Sequence, residues 1–224
     1  MCGRYALTLP VEAMAKVFQA QPANDLPEVP NYNICPTDQV AVIDSAAGLR
    51  RLRPMRWGFV PSWYQTLTGG PLLFNARAET LAEKPAFRDA CRQRRCLLIA
   101  SGFYEWERRG ETRLPWYVLR RDGAPMVFAG IWQDWGRDAP LPTCAIVTTA
   151  ANATLAPVHD RMPLILEPED WPLWLGEAGH GAARLMHPAP DDLLTRRRVG
   201  SRINSSRAEG PDLIEELIEP FGDD

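Results

Sequence analysis

The sequence predicts an α+β fold: a single domain built mainly of antiparallel β-sheets, barrel-like, with short flanking helices. Three observations lead there. Short β-branched and aromatic runs recur at 40–43, 49–53, 96–100, 116–119, 126–132 and 143–149. Turn signals such as Ala46-Ala47-Gly48 and Asp122-Gly123 separate many of them, which is the spacing of hairpins rather than of βαβ units. No internal repeat or low-complexity linker divides the 224 residues, so one domain is expected over 1–224, with an acidic tail from about 209 to 224.

Taken in order, Arg4-Tyr5-Ala6-Leu7-Thr8 reads as the start of a strand that pins the N-terminus to a sheet. Thr8-Leu9-Pro10, followed by Val11, Met14, Ala15 and Phe18, supplies a cap, an early proline and apolar spacing of three to four, which predicts an amphipathic helix over 10–20. Residues 21–33 are rich in Pro and Asn and read as a loop. The runs at 40–43 and 49–53 form a hairpin, and 55–63, punctuated by Gly58 and Pro61, reads as loop and short strand. Pro85 splits the helical pattern of 79–95. The apolar run at 96–100 is a buried strand, and short helices are expected at 151–155, 168–175 and 212–218.

Composition narrows the function classes. The chain has an ordinary globular balance, 46% hydrophobic and 24% charged, and no apolar run of membrane-spanning length. A location in the cytoplasm, at the nucleoid, is expected, with no membrane partner. The five cysteines, Cys2, Cys35, Cys91, Cys96 and Cys144, are odd in number and scattered, which points to free thiols in a reducing compartment. Cys91 and Cys96 supply half of a tetrahedral site with no nearby His, so neither zinc nor another cofactor is expected. A net charge of −3 argues against diffuse attraction to nucleic acid. Lys16 and Lys84 are the only lysines, however, so the positive charge is guanidinium, which suits positioned phosphate contacts. Arginines crowd the first half and acids the tail, a pattern that fits a polarised surface or a solvated mixture equally.

Candidate chemistry starts at Cys2. Removal of Met1 would leave an α-amine of pKa about 7.7 to 8.0 beside a thiol of about 8.5 on one residue. Such a 1,2-aminothiol condenses with an aldehyde to an imine and closes a thiazolidine. Asn75 and Arg77 alternate to one side of an extended segment after Leu72-Leu73-Phe74. Glu105 lies among Phe103, Tyr104 and Trp106, an environment that disfavours a charged carboxylate. His159 stands between a helical stretch and the apolar Leu164-Ile165-Leu166. Each has a plain structural alternative: a turn cap for Asn75, an ion pair with Arg108 or Arg109 for Glu105, a satisfied structural imidazole for His159.

Four stretches, Met1-Cys2-Gly3-Arg4-Tyr5, Asn75-Ala76-Arg77-Ala78-Glu79-Thr80, Gly102-Phe103-Tyr104-Glu105-Trp106 and His159-Asp160-Arg161-Met162-Pro163, resemble in order and spacing the motifs of the SOS response-associated peptidase family, the abasic-site processing proteins. The resemblance covers nearly the whole chain. One departure is Ile99-Ala100-Ser101-Gly102, where members more often carry a Pro-Ala-Asp-Gly type turn. The resemblance implies a covalent reaction with abasic sites in single-stranded DNA by a monomeric protein. Cys2, Asn75, Glu105 and His159 would be catalytic: Glu105 as general acid in opening the sugar ring, Cys2 as the trap, Asn75 holding the amine, and His159 bonding the opened sugar or its phosphate. Arg4, Arg77 and Arg161 are candidates for flanking phosphates, and Trp106 and Trp63 for stacking on exposed bases.

Two rivals remain from the residues. Cys2 could act as an N-terminal nucleophile of a peptidase or amidohydrolase, with its own amine as base. The aromatics could instead form the pocket of a non-catalytic reader of modified bases. A β-elimination lyase reaction is a further outcome of the imine.

Overall fold

The computed structural model describes residues 2–218. In chain order its strands are β1 (Tyr5–Leu7), β2 (Gln21–Pro22), β3 (Asn31–Ile34), β4 (Gln39–Ala46), β5 (Leu49–Trp57), β6 (Asn75–Arg77), β7 (Arg95–Ala100), β8 (Gly102–Arg109), β9 (Thr112–Arg120), β10 (Met126–Trp135), β11 (Leu141–Ala150), β12 (Arg161–Pro163) and β13 (Leu194–Arg198). Three short α-helices, α1 (Val11–Phe18), α2 (Arg88–Gln93) and α3 (Trp171–Leu175), flank them. One sheet orders as β13-β9-β8-β1-β3, the other as β12-β11-β10-β7-β4-β5-β2. In the second sheet β11 also pairs with β5, in parallel, at Thr143↔Arg56 and Cys144↔Trp57, which curls it into a partial ring. The α+β class, the single domain and the barrel-like curvature are as the sequence predicts.

The hairpin of β4 and β5 turns at Ala47 and Gly48, both at positive φ (52° and 78°), the twist that matches right-handed strands. The central strand β7 is the apolar run expected at 96–100, paired on both sides with β10 and β4 and buried from Cys96 to Ala100. Aromatic rings lock the two sheets together. Tyr5 of β1 meets Trp57 edge-on at 5.2 Å and Phe128 at 6.1 Å, while Phe103 of β8 meets Phe128 at 6.0 Å. Such pairs each add about 0.5–1.5 kcal/mol beyond their buried area. Their consequence is positional: β1 is held in the seam between the sheets.

Several local expectations change. Helix α1 begins after Pro10, with Met14 N–H on Pro10 O at 3.0 Å, and Thr8 does not cap it. The Thr8 hydroxyl instead meets Ser101 Oγ at 2.8 Å, which ties β1 to the turn before β8. Residues 21–33 are not all loop, since β2 and most of β3 form there; pairing with β5 and β1 overrides their weak strand composition. Residues 151–155 are a turn: the Asn152 side chain accepts Leu155 N–H at 3.0 Å and donates to Pro190 O at 3.1 Å, bonds that compete with a helix. Residues 212–218 hold only a 3₁₀ turn, Pro211–Ile214, which buries Leu213. The chain then extends, Glu216 bridging to Val199, because β13 offers an open edge. The tail predicted over 209–224 is described to Ile218; residues 219–224 lie outside the described residues, as does Met1.

Many arginines of the first half are ties rather than a free basic surface. Arg51 grips the buried Asp44 through two bonds of 2.9 and 2.6 Å, and Arg53 Nε lies 3.1 Å from the same carboxylate. Arg50 pairs with Glu177 at 2.7 Å, and Arg95 donates to the Trp174 carbonyl.

Candidate functional site: the seam around Cys2

The first strand fixes the N-terminal segment. β1 pairs with β8 through Tyr5↔Phe103 and Ala6↔Gly102 and with β3 through Tyr5↔Ile34, and Tyr104 N–H donates to Arg4 O at 2.9 Å. Close approach is possible because residue 102 is Gly: a Cβ there would stand 2.6 Å from Val118 O and 2.4 Å from Tyr117 Cζ. Cys2 is fully buried, and so the terminus is part of the packed structure.

Asn75 arrives from the other sheet. β6 lies parallel along β11, Asn75↔Ile146 through Arg77↔Thr148, with Ile146 N–H on Phe74 O at 3.0 Å. The Asn75 side-chain Nδ2 donates to Cys2 O at 2.9 Å, bridging the seam. Its Oδ1 is buried and has no hydrogen-bond partner among the described residues. A buried acceptor left open costs about 1–3 kcal/mol, so its orientation asks for a donor.

Glu105 sits on β8, 3% exposed and opposite Trp116 of β9. Burial pushes the Cys2 thiol far above its ordinary value, and the nearby Glu105 carboxylate pushes it further in the same direction. At neutral pH Cys2 is therefore a protonated thiol. The structure thus gathers Cys2, Asn75 and Glu105 from three separate stretches.

His159 reaches the second sheet's end of the molecule two residues before β12, which pairs with β11 at Thr148↔Pro163 and Ala150↔Arg161. Its Nδ1 lies 2.9 Å from Arg161 N–H and 2.9 Å from an Asp160 carboxylate oxygen. One nitrogen cannot accept from the first and donate to the second. The backbone donor is the fixed partner and Asp160 is 87% exposed to water, so Nδ1 accepts from Arg161 N–H.

The predicted DNA contacts separate into two kinds. Arg161 is committed within the protein: its Nη atoms take both oxygens of Glu79 at 2.6 and 2.9 Å and Thr148 O at 2.7 Å, which holds the Glu79 carboxyl below its usual range. Arg4 donates to Asn33 Oδ1 at 2.6 Å and Ile203 O at 3.0 Å, its guanidinium 5.8 Å from the Trp106 ring. Trp106 in turn donates to Asn204 Oδ1 at 2.7 Å, and Arg4, Trp106, Arg113 and Asn204 line an open hollow of about 380 Å³ two residues from Cys2. Arg77 is exposed at the end of β6. Trp63, 54% exposed, lines a separate larger hollow with Tyr64, Trp135 and Arg137.

Sequence reasoning gave no role to Glu79, Asn33 or Asn204. Glu79 stood inside the Asn75-to-Thr80 stretch, two residues from Arg77, and could have been read as a partner for a nearby cation. Asn33 and Asn204 carry no local signal, since their role depends on strands and turns far apart in the chain.

Known proteins resemble this chain in sequence and in fold. Residues 1–206 match the family described as SOS response associated peptidase (SRAP). The chain is 34% identical to the abasic site processing protein YoqW of Bacillus subtilis, over 96% of this chain and 99% of that one, and 30% identical to the abasic site processing protein HMCES of Mus musculus, over 96% and 75%. Among solved structures it resembles a Bordetella bronchiseptica protein, 26% identical with a TM-score of 0.78 over 89% and 100% of the two chains. A Bacteroides thetaiotaomicron protein, 22% identical, shares the fold with a TM-score of 0.86 over 97% and 100%. The chain belongs to the SOS response associated peptidase (SRAP) family.

Proposed function

We propose that the protein processes abasic sites in DNA, and that it does so by trapping the lesion covalently at Cys2 in single-stranded DNA. The observation that carries this reading is the Asn75 side chain. Its Nδ2 holds the Cys2 carbonyl while its Oδ1 stands buried with an open acceptor, beside a residue whose amine appears once Met1 is removed. An abasic deoxyribose is mostly a closed hemiacetal, and Glu105 acts as general acid to its ring oxygen, exposing the C1′ aldehyde. The Cys2 amine, held by Asn75 Oδ1, adds to that carbon and water leaves, giving an imine. The S–H bond of Cys2 then adds across C=N, sulfur to C1′ and proton to nitrogen, closing a thiazolidine. One water is lost in total.

The protonated, buried thiol favours this order, amine first and sulfur second, over hydrolysis by a resting thiolate. His159 serves as a donor through Nε2 to the opened sugar or its phosphate. Arg77 and the Arg4–Trp106 hollow take the flanking backbone and a base, whereas Arg161 acts as a positioning residue that fixes β12 through Glu79. A denaturing gel with a freshly generated abasic oligonucleotide tests the proposal: wild type gives a heat-stable shifted band and Cys2→Ala gives none. Absence of the band from Met1-free wild type overturns the trap. Undiminished crosslinking by Cys2→Ala does the same.

A further inference from the structure

The hollow lined by Arg4 and Trp106 contains a cation that the protein holds without neutralising. Arg4 gives Nη1 to three acceptors, Asn33 Oδ1 at 2.6 Å, Ile203 O at 3.0 Å and Ser205 O at 3.5 Å. All three are neutral. Its Nε is buried without a partner and its Nη2 bonds none of the described residues, so the guanidinium is gripped from one edge only. Carboxylates in this part of the fold are engaged elsewhere: Asp38 Oδ2 accepts Cys35 N–H at 2.9 Å, and Asp212 pairs with Arg202. Arg50, Arg51, Arg120 and Arg161, by contrast, each bond a carboxylate within the protein.

Asn33 forms the grip. It is buried, and both sides of its amide are used: Oδ1 accepts from Arg4, while Nδ2 donates to Ser205 O at 3.1 Å and Ala208 O at 2.6 Å. That network fixes which way the amide faces, since a flip would set its NH2 against the guanidinium and its oxygen against two carbonyls. Asn204 repeats the device at the surface, accepting from Trp106 Nε1 at 2.7 Å, with the Arg4 guanidinium 5.8 Å from the same indole. Arg113, which is exposed, adds a second cation to the wall. A carboxylate in place of either amide would bond its donor more strongly. It would also cancel the positive charge that faces the hollow.

We propose that Asn33 is a positioning residue for Arg4 and Asn204 for Trp106, and that both are amides so that Arg4 keeps its charge for one phosphate of a single strand. The inference rests on the DNA reading above and adds to its strand-binding hollow two residues that reading leaves without a role. A phosphate then meets a guanidinium whose direction is already set, so less side-chain freedom is lost on binding.

The test is fluorescence anisotropy over a range of salt with labelled, undamaged oligothymidine of about 15 nucleotides, a length at the upper end of common single-strand sites. Asn33→Ala and Asn33→Asp both remove the bonds to Ser205 O and Ala208 O, but only Asp sets a negative charge against Arg4. Asn33→Ala is expected to weaken binding by about 3-fold, the worth of one ordinary hydrogen bond, with the salt slope of wild type. Asn33→Asp weakens it by about 10-fold and lowers the slope by about 0.7, the share of one phosphate on a single strand. Arg4→Ala lowers the slope equally, and adding Asn33→Asp to Arg4→Ala changes it no further. Asn204→Asp keeps an acceptor for Trp106 on an exposed residue and leaves the Asn33 bonds intact, so it reads the same charge effect even where Asn33→Asp fails to fold. It should lower affinity and slope in the same way. Equal affinities and slopes for Asn33→Ala and Asn33→Asp overturn the inference and reduce Asn33 to a structural tie. A wild-type slope in Asn204→Asp overturns it as well. Crosslinking to an abasic oligonucleotide is read in parallel. If wild type gives no crosslink while these shifts persist, the covalent reading fails and this one stands; if wild type crosslinks yet holds no undamaged strand at low salt, this one fails and the trap stands.

Discussion

The side-chain amide of Asn75 donates to the carbonyl of Cys2 at 2.9 Å, and so a residue of one sheet orients the first residues of the other. The Oδ1 of the same amide is buried with no hydrogen-bond partner among the described residues, and in the proposed trap it accepts from the amine of Cys2. Asn75→Ala removes both bonds at the site of reaction. Crosslinking of abasic DNA is expected to slow by about 10-fold or more, as the loss of hydrogen bonds worth about 1–3 kcal/mol implies. Thermal melting of the same variant should fall by only a few degrees. Unchanged single-turnover rates would remove Asn75 from the mechanism.

Glu105 is asked to protonate the sugar ring oxygen, a role that a carboxamide cannot fill. Glu105→Gln keeps the shape and slows both adduct formation and its reversal, by about 10² or more. Rates equal to wild type in both directions, followed by time-resolved denaturing gels, would reject the acid assignment.

The Arg161–Glu79 clamp is a structural claim that can be separated from DNA contact. Because Glu79 is half exposed, the pair contributes about 1 kcal/mol to stability. A double-mutant cycle of Arg161→Ala and Glu79→Gln, read by denaturant midpoints, should show coupling of about 0.5–1 kcal/mol. Additive effects would mean that the two do not act as a pair. Arg161→Ala should also slow crosslinking more than Arg161→Lys, which retains one bond to Glu79.

Asp44 poses the reverse situation, a buried carboxylate serving two arginines. Asp44→Ala leaves Arg51 and Arg53 without their shared anion and should cost about 3 kcal/mol, the low end for a broken buried pair, because Arg51 can turn to water. A loss below about 1 kcal/mol in urea denaturation would show the triad to be dispensable.

Stability should fall in alkali. Burial pushes the thiols of Cys96 and Cys144 and the phenols of Tyr104 and Tyr117 up from values of 9.0 and 10.0. The folded state therefore holds protons that the unfolded chain releases. Their contribution is fully present below pH 9 and is lost as pH rises, each group adding a slope of up to about 1.4 kcal/mol per pH unit. A flat urea midpoint from about pH 8 to 11 would contradict the burial.

How much of this was legible in the sequence follows from the range of the forces involved. The apolar run at 96–100 and the Ala46-Ala47-Gly48 turn announce β7 and the β4–β5 hairpin because burial and positive φ are written into a few adjacent residues. The four motif stretches bring Cys2, Asn75, Glu105 and His159 to notice, and the fold joins the first three. The commitment of Arg161 to Glu79 was not legible, since it needs β12 and the 3₁₀ turn at Ala78–Thr80 to meet across β11. Strand β13 was missed for a related reason: Thr195-Arg196-Arg197-Arg198 has no apolar alternation, and pairing with β9 alone makes it a strand.

The most direct measurement is an intact mass of the protein before and after incubation with an abasic oligonucleotide. Material lacking Met1 is expected to gain the oligonucleotide mass less one water, with the modification mapping to Cys2. Full crosslinking by protein that still carries Met1, or an adduct on any other residue, would contradict the aminothiol trap.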